Sequence, residues 1–233
     1  MADKKIEKAL YGPSLTEVAL GAVLGLIAGV LAAGVYLVFK PVSPVKEMPK
    51  DDKVVKGMVY FIAGNESNAK SRGLPAKQKQ MLGNPTFTID LVEDELNAWA
   101  NTLSAPAPAA PKPGAPAGSA PAGDGIFNPG KPNFRIVGDK LQIGAKCVLN
   151  WYGLTHEVMV VTTGTFKTSG ETVVYSPSTL YLGSCPVHLL PALAGPLMNH
   201  LISKEKVPDE MRAAWLKVDS ATIENGVLKL VAQ

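Results

Sequence analysis

The sequence predicts an α+β protein in which an N-terminal transmembrane helix precedes an antiparallel β-sheet packed on helices. Three observations predict it. An uncharged apolar run fills Val18–Phe39. From Leu141 onward, apolar and polar residues alternate with a period of two. Helix signals bracket that alternation, near Glu93 before it and near Pro208 after it. The 233 residues divide into a tail (1–17), the span (18–39), a basic membrane-proximal stem with short helices (40–83) and one α+β domain (84–233). An Ala/Pro-rich insert (104–123) interrupts that domain. With 46% of residues apolar, the domain can build a core of ordinary size.

The span is 22 residues long. As a helix it covers about 33 Å, enough for a bilayer core of about 30 Å. A cleavable signal peptide is the rival reading, because Ala32-Ala33-Gly34 offers small residues to a peptidase. The run exceeds the usual signal core of about 7–15 residues and its leader is long and mixed in charge, which favours an uncleaved anchor. Gly21, Gly25 and Gly29 recur every fourth residue and Ala33 continues the row. Such a stripe lets a second helix approach closely, as in a homodimer or with another membrane protein; glycine is also simply common in membrane helices. The flanking charges leave the orientation open.

In the stem, Lys40, Lys46, Lys50, Lys53, Lys56, Lys70, Arg72, Lys77 and Lys79 outnumber Glu47, Asp51, Asp52 and Glu66. This excess suits anionic lipid headgroups, or it is a solvated stem that keeps the chain soluble. Without aromatic residues interleaved in a compact basic patch, nucleic acid is not an expected partner. Val54, Val55, Met58, Val59 and Ile62 recur at helical spacing, predicting a short amphipathic helix ended by Gly64-Asn65; Ala76–Leu82 predicts a second. Thr86–Leu91 is β-prone. Asp90 and Glu93 have capping-box spacing, and Val92, Leu96, Trp99 and Leu103 share one face of the helix that follows. The insert, rich in alanine, proline and glycine, buries too little apolar surface to offset its ordering entropy and is expected to be disordered or loosely extended.

Beyond the insert, Leu141, Ile143, Ala145, Cys147 and Leu149 form one face of a strand. Val158, Val160, Thr162 and Phe166 form a face of the next, and Thr172–Tyr175 and Thr179–Leu182 continue an antiparallel meander. Gly183 and Pro186 mark a corner after which Leu190, Leu193, Leu197 and Leu201 line one side of a helix kinked at Pro196. Pro208-Asp209-Glu210 opens another helix with Met211, Ala214 and Trp215 facing inward. Asn225-Gly226 closes the chain with a hairpin.

This succession, with "EDELNAW" after a strand, "LGSCPVHLLP" before an apolar helix, "VPDEMRAAW" and a last hairpin, resembles bacterial single-pass envelope proteins of the tubular lipid-binding (TULIP-like) kind. The resemblance covers Thr86–Leu103 and roughly Asn133–Val231, with Gly183, Pro186, Pro191 and Pro208 as punctuation. It implies a strongly curved antiparallel sheet wrapped on a long helix, with an apolar seam for acyl chains. It also implies a domain on the periplasmic or extracytoplasmic side of the inner (cell) membrane. The Ala/Pro insert departs from that pattern.

No decisive catalytic motif is present: there is no HExxH, GxSxG, P-loop or dinucleotide-type glycine turn. Cys185-x-x-His188 has a metal-like spacing, yet a zinc site wants about four ligands and no second close-spaced pair of Cys or His exists, so neither metal nor cofactor is expected. In an exported domain, Cys147 and Cys185 could form a disulfide. The leading expectation is a noncatalytic, membrane-anchored envelope protein that binds a lipid or other apolar ligand along Leu190, Leu193, Leu197, Leu201, Trp99 and Phe166. The alternatives are an assembly module dimerising through Gly21, Gly25, Gly29 and Ala33, and a hydrolase built on Cys185 and His188.

Overall fold

The structure, a computed structural model, describes residues 12–50, 53–67, 70–103, 127–151, 154–170, 172–190, 194–198 and 208–233. The insert and two members of the expected leucine stripe, Leu193 and Leu201, lie outside the described residues.

Helix α1 (Leu15–Phe39) begins before the uncharged run because Ser14 caps it. The Ser14 hydroxyl accepts from the Glu17 N–H, and the Glu17 carboxylate accepts from the Ser14 N–H. No residue of α1 is buried, and the helix is long and apolar enough to cross a membrane, a property that spans share with signal sequences. Its foot is tied to the domain. The Ser184 N–H donates to Leu37 O at 2.9 Å and Lys40 O at 3.1 Å, and Phe39 meets the His156 ring at 4.7 Å. Gly183 (φ +58°) lies so close to the Val38 carbonyl that any Cβ there would collide with it.

The stem corrects one expectation. Residues 54–62 form no helix; β1 (Ser43–Pro44) pairs in parallel with β2 (Tyr60–Phe61), folding the stem back onto the domain. Val54 and Val55 remain exposed, whereas Val42 and Phe61 are buried. The β-branched pair followed by Gly57 is a weak helix former, and a core contact for Phe61 decides the conformation. A 3₁₀ turn (Lys70–Gly73) then leads into α2 (Leu74–Gly83), which buries Leu74 and Met81.

Strand β3 (Phe87–Val92) buries Phe87, Ile89 and Leu91 and passes without a loop into α3 (Glu93–Leu103). The cap is displaced by two residues from the expected one. Asp90 is a strand residue opposite Lys229, and the Glu95 carboxylate accepts from the Val92 N–H at 3.0 Å. Strand β3 forms an antiparallel sheet with the terminal hairpin, in the order β3–β10–β9, where β9 is Ser220–Glu224 and β10 is Val227–Ala232. Asn225 (φ 51°) and Gly226 (φ 76°) make the turn.

A second antiparallel sheet has the order β4–β5–β6–β7–β8. Its strands are β4 (Phe127–Val137), β5 (Lys140–Trp151), β6 (Leu154–Ser169), β7 (Thr172–Leu182) and β8 (Cys185–Pro186). Strand β4 was not expected, since Pro129, Gly130 and Pro132 break the strand pattern. It is an edge strand with an irregularity between Pro129 and Pro132, the setting in which proline is tolerated. Likewise β7 continues past Pro177, where its pairing with β6 shifts register, and Pro186, opposite Tyr181, is the last residue of the sheet. A 3₁₀ turn (Val187–Leu189) follows, residues 194–198 are helical, and α4 (Asp209–Trp215) precedes β9.

Three apolar clusters result. The largest joins β3, β9, β10, α2, α3 and α4 to the Leu141–Ile143 end of β5. The second gathers Cys147, Val158, Val160, Leu180, Cys185 and Val187, with Leu37 and Val38 of α1 packed against it. The smallest holds Val42, Phe61 and Val161.

Polar side chains of α3 hold these layers together. Asn97 is fully buried; its amide donates to Asn65 O (2.9 Å) and Phe134 O (2.8 Å) and accepts from the Phe134 N–H (2.7 Å). Glu93 accepts from the Asn65 and Ile136 N–H groups, and Asp94 from the Ser67 N–H. These first-turn carboxylates thus cap distant backbone as well as favouring the helix dipole. Truncating Asn97 would strand two carbonyls and one N–H. Asn97→Ala is therefore expected to lower the unfolding free energy by about 2–3 kcal/mol, measured by chemical denaturation of the detergent-solubilised chain.

Candidate functional site

Between the two sheets lies a cavity of about 480 Å³. Strand β5 supplies Leu141 and Ile143, two residues of one strand face; β4 supplies Phe134 and Pro132, β6 Phe166, and β7 Tyr175. Helix α3 closes one side with Leu96, Trp99 and Ala100, α4 another with Met211, Arg212 and Trp215, and β3 and β10 add Leu91, Leu228 and Leu230. The α3 residues arrive there because the helix turns Asn97 toward β4 and its apolar stripe toward the sheets.

The polar atoms of Tyr175 and Trp215 are turned into the protein. Tyr175 OH donates to Leu141 O at 3.0 Å and lies 3.4 Å from the Thr162 hydroxyl, which itself donates to Thr179 O at 2.9 Å. Trp215 Nε1 donates to Val173 O at 2.9 Å. Phe166 stands between these two rings, edge-on to Tyr175 at 5.8 Å, an arrangement aromatic quadrupoles favour, and tilted by 50° to Trp215 at 6.0 Å. What faces the cavity is hydrocarbon. Arg212 lines it too; its side chain is 66% exposed and lies 3.8 Å from the Asp209 carboxylate, which puts a loosely paired cation where the cavity meets solvent. Burial pushes the Tyr175 phenol up to about 12, with the Thr162 hydrogen bond pulling weakly the other way.

Of the residues singled out by sequence, Trp99 and Phe166 line this cavity. Leu190 is 43% exposed, and Leu197 packs against the second cluster, at the α1 end of the domain; the structure does not bring them to Trp99 and Phe166. Gly21, Gly25, Gly29 and Ala33 are exposed along α1, and a Cβ on any of the three glycines would meet open space. The disulfide that Cys147 and Cys185 could have formed is not present in the structure: both residues are buried thiols. Strands β6 and β7 lie between their strands. Three inter-strand steps amount to about 14 Å along a sheet, against a Cα separation below about 7 Å for a disulfide. Burial also raises the Cys185 thiol above its usual range, which disfavours the thiolate a nucleophile needs. His188 Nδ1 lies 3.1 Å from Leu180 O, and its ring packs on Tyr181, so the imidazole braces the 3₁₀ turn against β7. Among the described residues, no group of three or more His, Cys, Asp or Glu side chains could hold a metal ion.

Sequence reasoning missed Phe134, Ile143, Tyr175 and Arg212 as cavity residues. The alternation of β5 marked Ile143 as inward-facing, but nothing local distinguishes a side chain that fills a core from one that lines a void. Set against protein-family models, curated proteins and solved structures, the chain matches none.

Tyr175 generates a pH dependence. Its phenol ionises near 10 in the unfolded chain and near 12 in the folded one, so between these values the folded state holds the extra proton. Stability from this group is complete below pH 10 and lost as pH rises through 12. Unfolding free energies measured at pH 9 and 12 should fall by about 2 kcal/mol more in the wild type than in Tyr175→Phe.

Proposed function

We propose that this is a noncatalytic, membrane-anchored envelope protein that holds a lipid acyl chain, or an apolar ligand of similar shape, in the cavity between its two sheets. The observation that carries this reading is a cavity of about 480 Å³ whose wall is mostly hydrocarbon, with the polar atoms of Tyr175 and Trp215 bonded inward. That volume is in the range of small-molecule sites, about 300–1,000 Å³. Arg212 at the mouth suits an anionic head on the bound chain. Helix α1 supports the anchored part of the reading. The TULIP-like resemblance of the "EDELNAW" and "LGSCPVHLLP" segments supports the envelope location and the class of ligand. A bound acyl chain would be stabilised by removing its methylenes from water, about 0.8 kcal/mol for each one fully buried.

Trp99 and Trp215 flank the cavity and supply a local probe. The full chain in detergent should transfer tryptophan excitation to cis-parinaric acid, a fluorescent fatty acid. Ile143→Phe, which adds ring volume to the wall, should weaken binding about tenfold, equivalent to about 1.4 kcal/mol. Arg212→Glu should weaken the acid severalfold and leave its methyl ester unchanged. A well-folded chain that shows no saturable transfer would refute the reading.

A further inference from the structure

A second cavity, of about 470 Å³, opens at the foot of α1 and belongs to neither the acyl-chain site nor the aromatic wall. Val38 and Phe39, from the last turn of α1, are part of its lining. A 25-residue helix is about 37 Å long and overruns a bilayer core of about 30 Å by roughly one turn, so a span ending at Phe39 sets this cavity at headgroup depth. Its floor is apolar: Val42 and Phe61 are buried, and Met159 packs against them. Phe61 reaches that floor because Gly144 has no side chain; a Cβ on Gly144 would collide with the ring.

Three charged side chains line the same cavity, Lys46, Lys146 and Glu157, and all are exposed. The β5–β6 register sets Lys146 opposite Met159, so Glu157, two residues away on the same face, is its diagonal neighbour. None of the three forms an ion pair with another described residue. Two cations and one anion above a hydrocarbon floor complement a zwitterion rather than a simple anion. We propose that this cavity seats a phospholipid from the bilayer that α1 crosses. Its phosphate lies on Lys46 and Lys146, its primary ammonium on Glu157, and the first carbons of its chains on Phe61 and Met159. The inference rests on α1 being a membrane span, and it stands apart from ligand binding in the larger cavity. A lipid held there fastens the domain to the membrane surface through the stem as well as through α1.

The test uses the full chain in phosphatidylcholine nanodiscs containing a little phosphatidylethanolamine with a photoreactive group near the head of one acyl chain. After irradiation, labelled peptides are mapped by mass spectrometry. Peptides carrying Val42, Phe61 or Met159 should be labelled. Lys46→Glu with Lys146→Glu should cut that labelling at least fivefold, Lys46→Gln alone about twofold, and Ile143→Phe not at all. Labelling of Leu15–Phe39 is the internal control. Label on α1 but not on the cavity overturns the inference and leaves the span intact; no label anywhere overturns both. Cavity labelling unchanged in the double variant and in Lys46→Gln, or equal labelling by a phosphatidylglycerol probe, also overturns it.

Discussion

The architecture depends on one buried side chain. Asn97 presents an amide that matches the Phe134 N–H and C=O on one side and the Asn65 carbonyl on the other. A buried backbone group without a partner costs on the order of 1–3 kcal/mol, so this match fixes where α3 can lie. With α3 fixed, Leu96, Trp99 and Ala100 close the cavity, and the stem segment around Asn65 is held against the domain. Glu93 and Asp94 reinforce the arrangement by accepting from Asn65, Ile136 and Ser67. A charged or amide side chain at each of these positions does what a second strand would do for β4 on its open edge.

The five-stranded sheet then serves two ends of the molecule. Near Leu141 it forms a wall of the large cavity; near Cys147 it packs beneath the foot of α1. The run from Leu141 to Cys147 spans about 20 Å. The cavity between the sheets therefore stands away from the foot of α1, with the second cluster between. The second cavity, beside Val38 and Phe39, lies at the foot of α1.

Much of the local structure was legible in the residues. The uncharged run, the period-two alternation of β5, the Asn225-Gly226 turn and the proline-led start of α4 each rest on chain-local physics. The errors share a cause. Residues 54–62 have helical spacing, yet the Phe61 contact with Gly144 outweighs a weak propensity. Strand β4 carries prolines that argue against a strand, yet an edge position removes the penalty. The leucines after Pro186 have the composition of a ligand seam, but Leu197 faces the α1-proximal cluster, while the void is lined by Phe134, Ile143 and Tyr175 from three different strands.

By itself, the sequence determined the apolar helix, the α+β class and the inward face of each main strand, because hydrophobic periodicity and turn chemistry act over a few residues. The tertiary structure alone decided which inward faces meet and which leave a gap. It also decided that two cysteines in one cluster stay separated by two strands, and that a stem of lysines folds back beside β5. Those outcomes depend on strand order and on the partners of single buried polar groups such as Asn97, which bring together residues far apart along the chain.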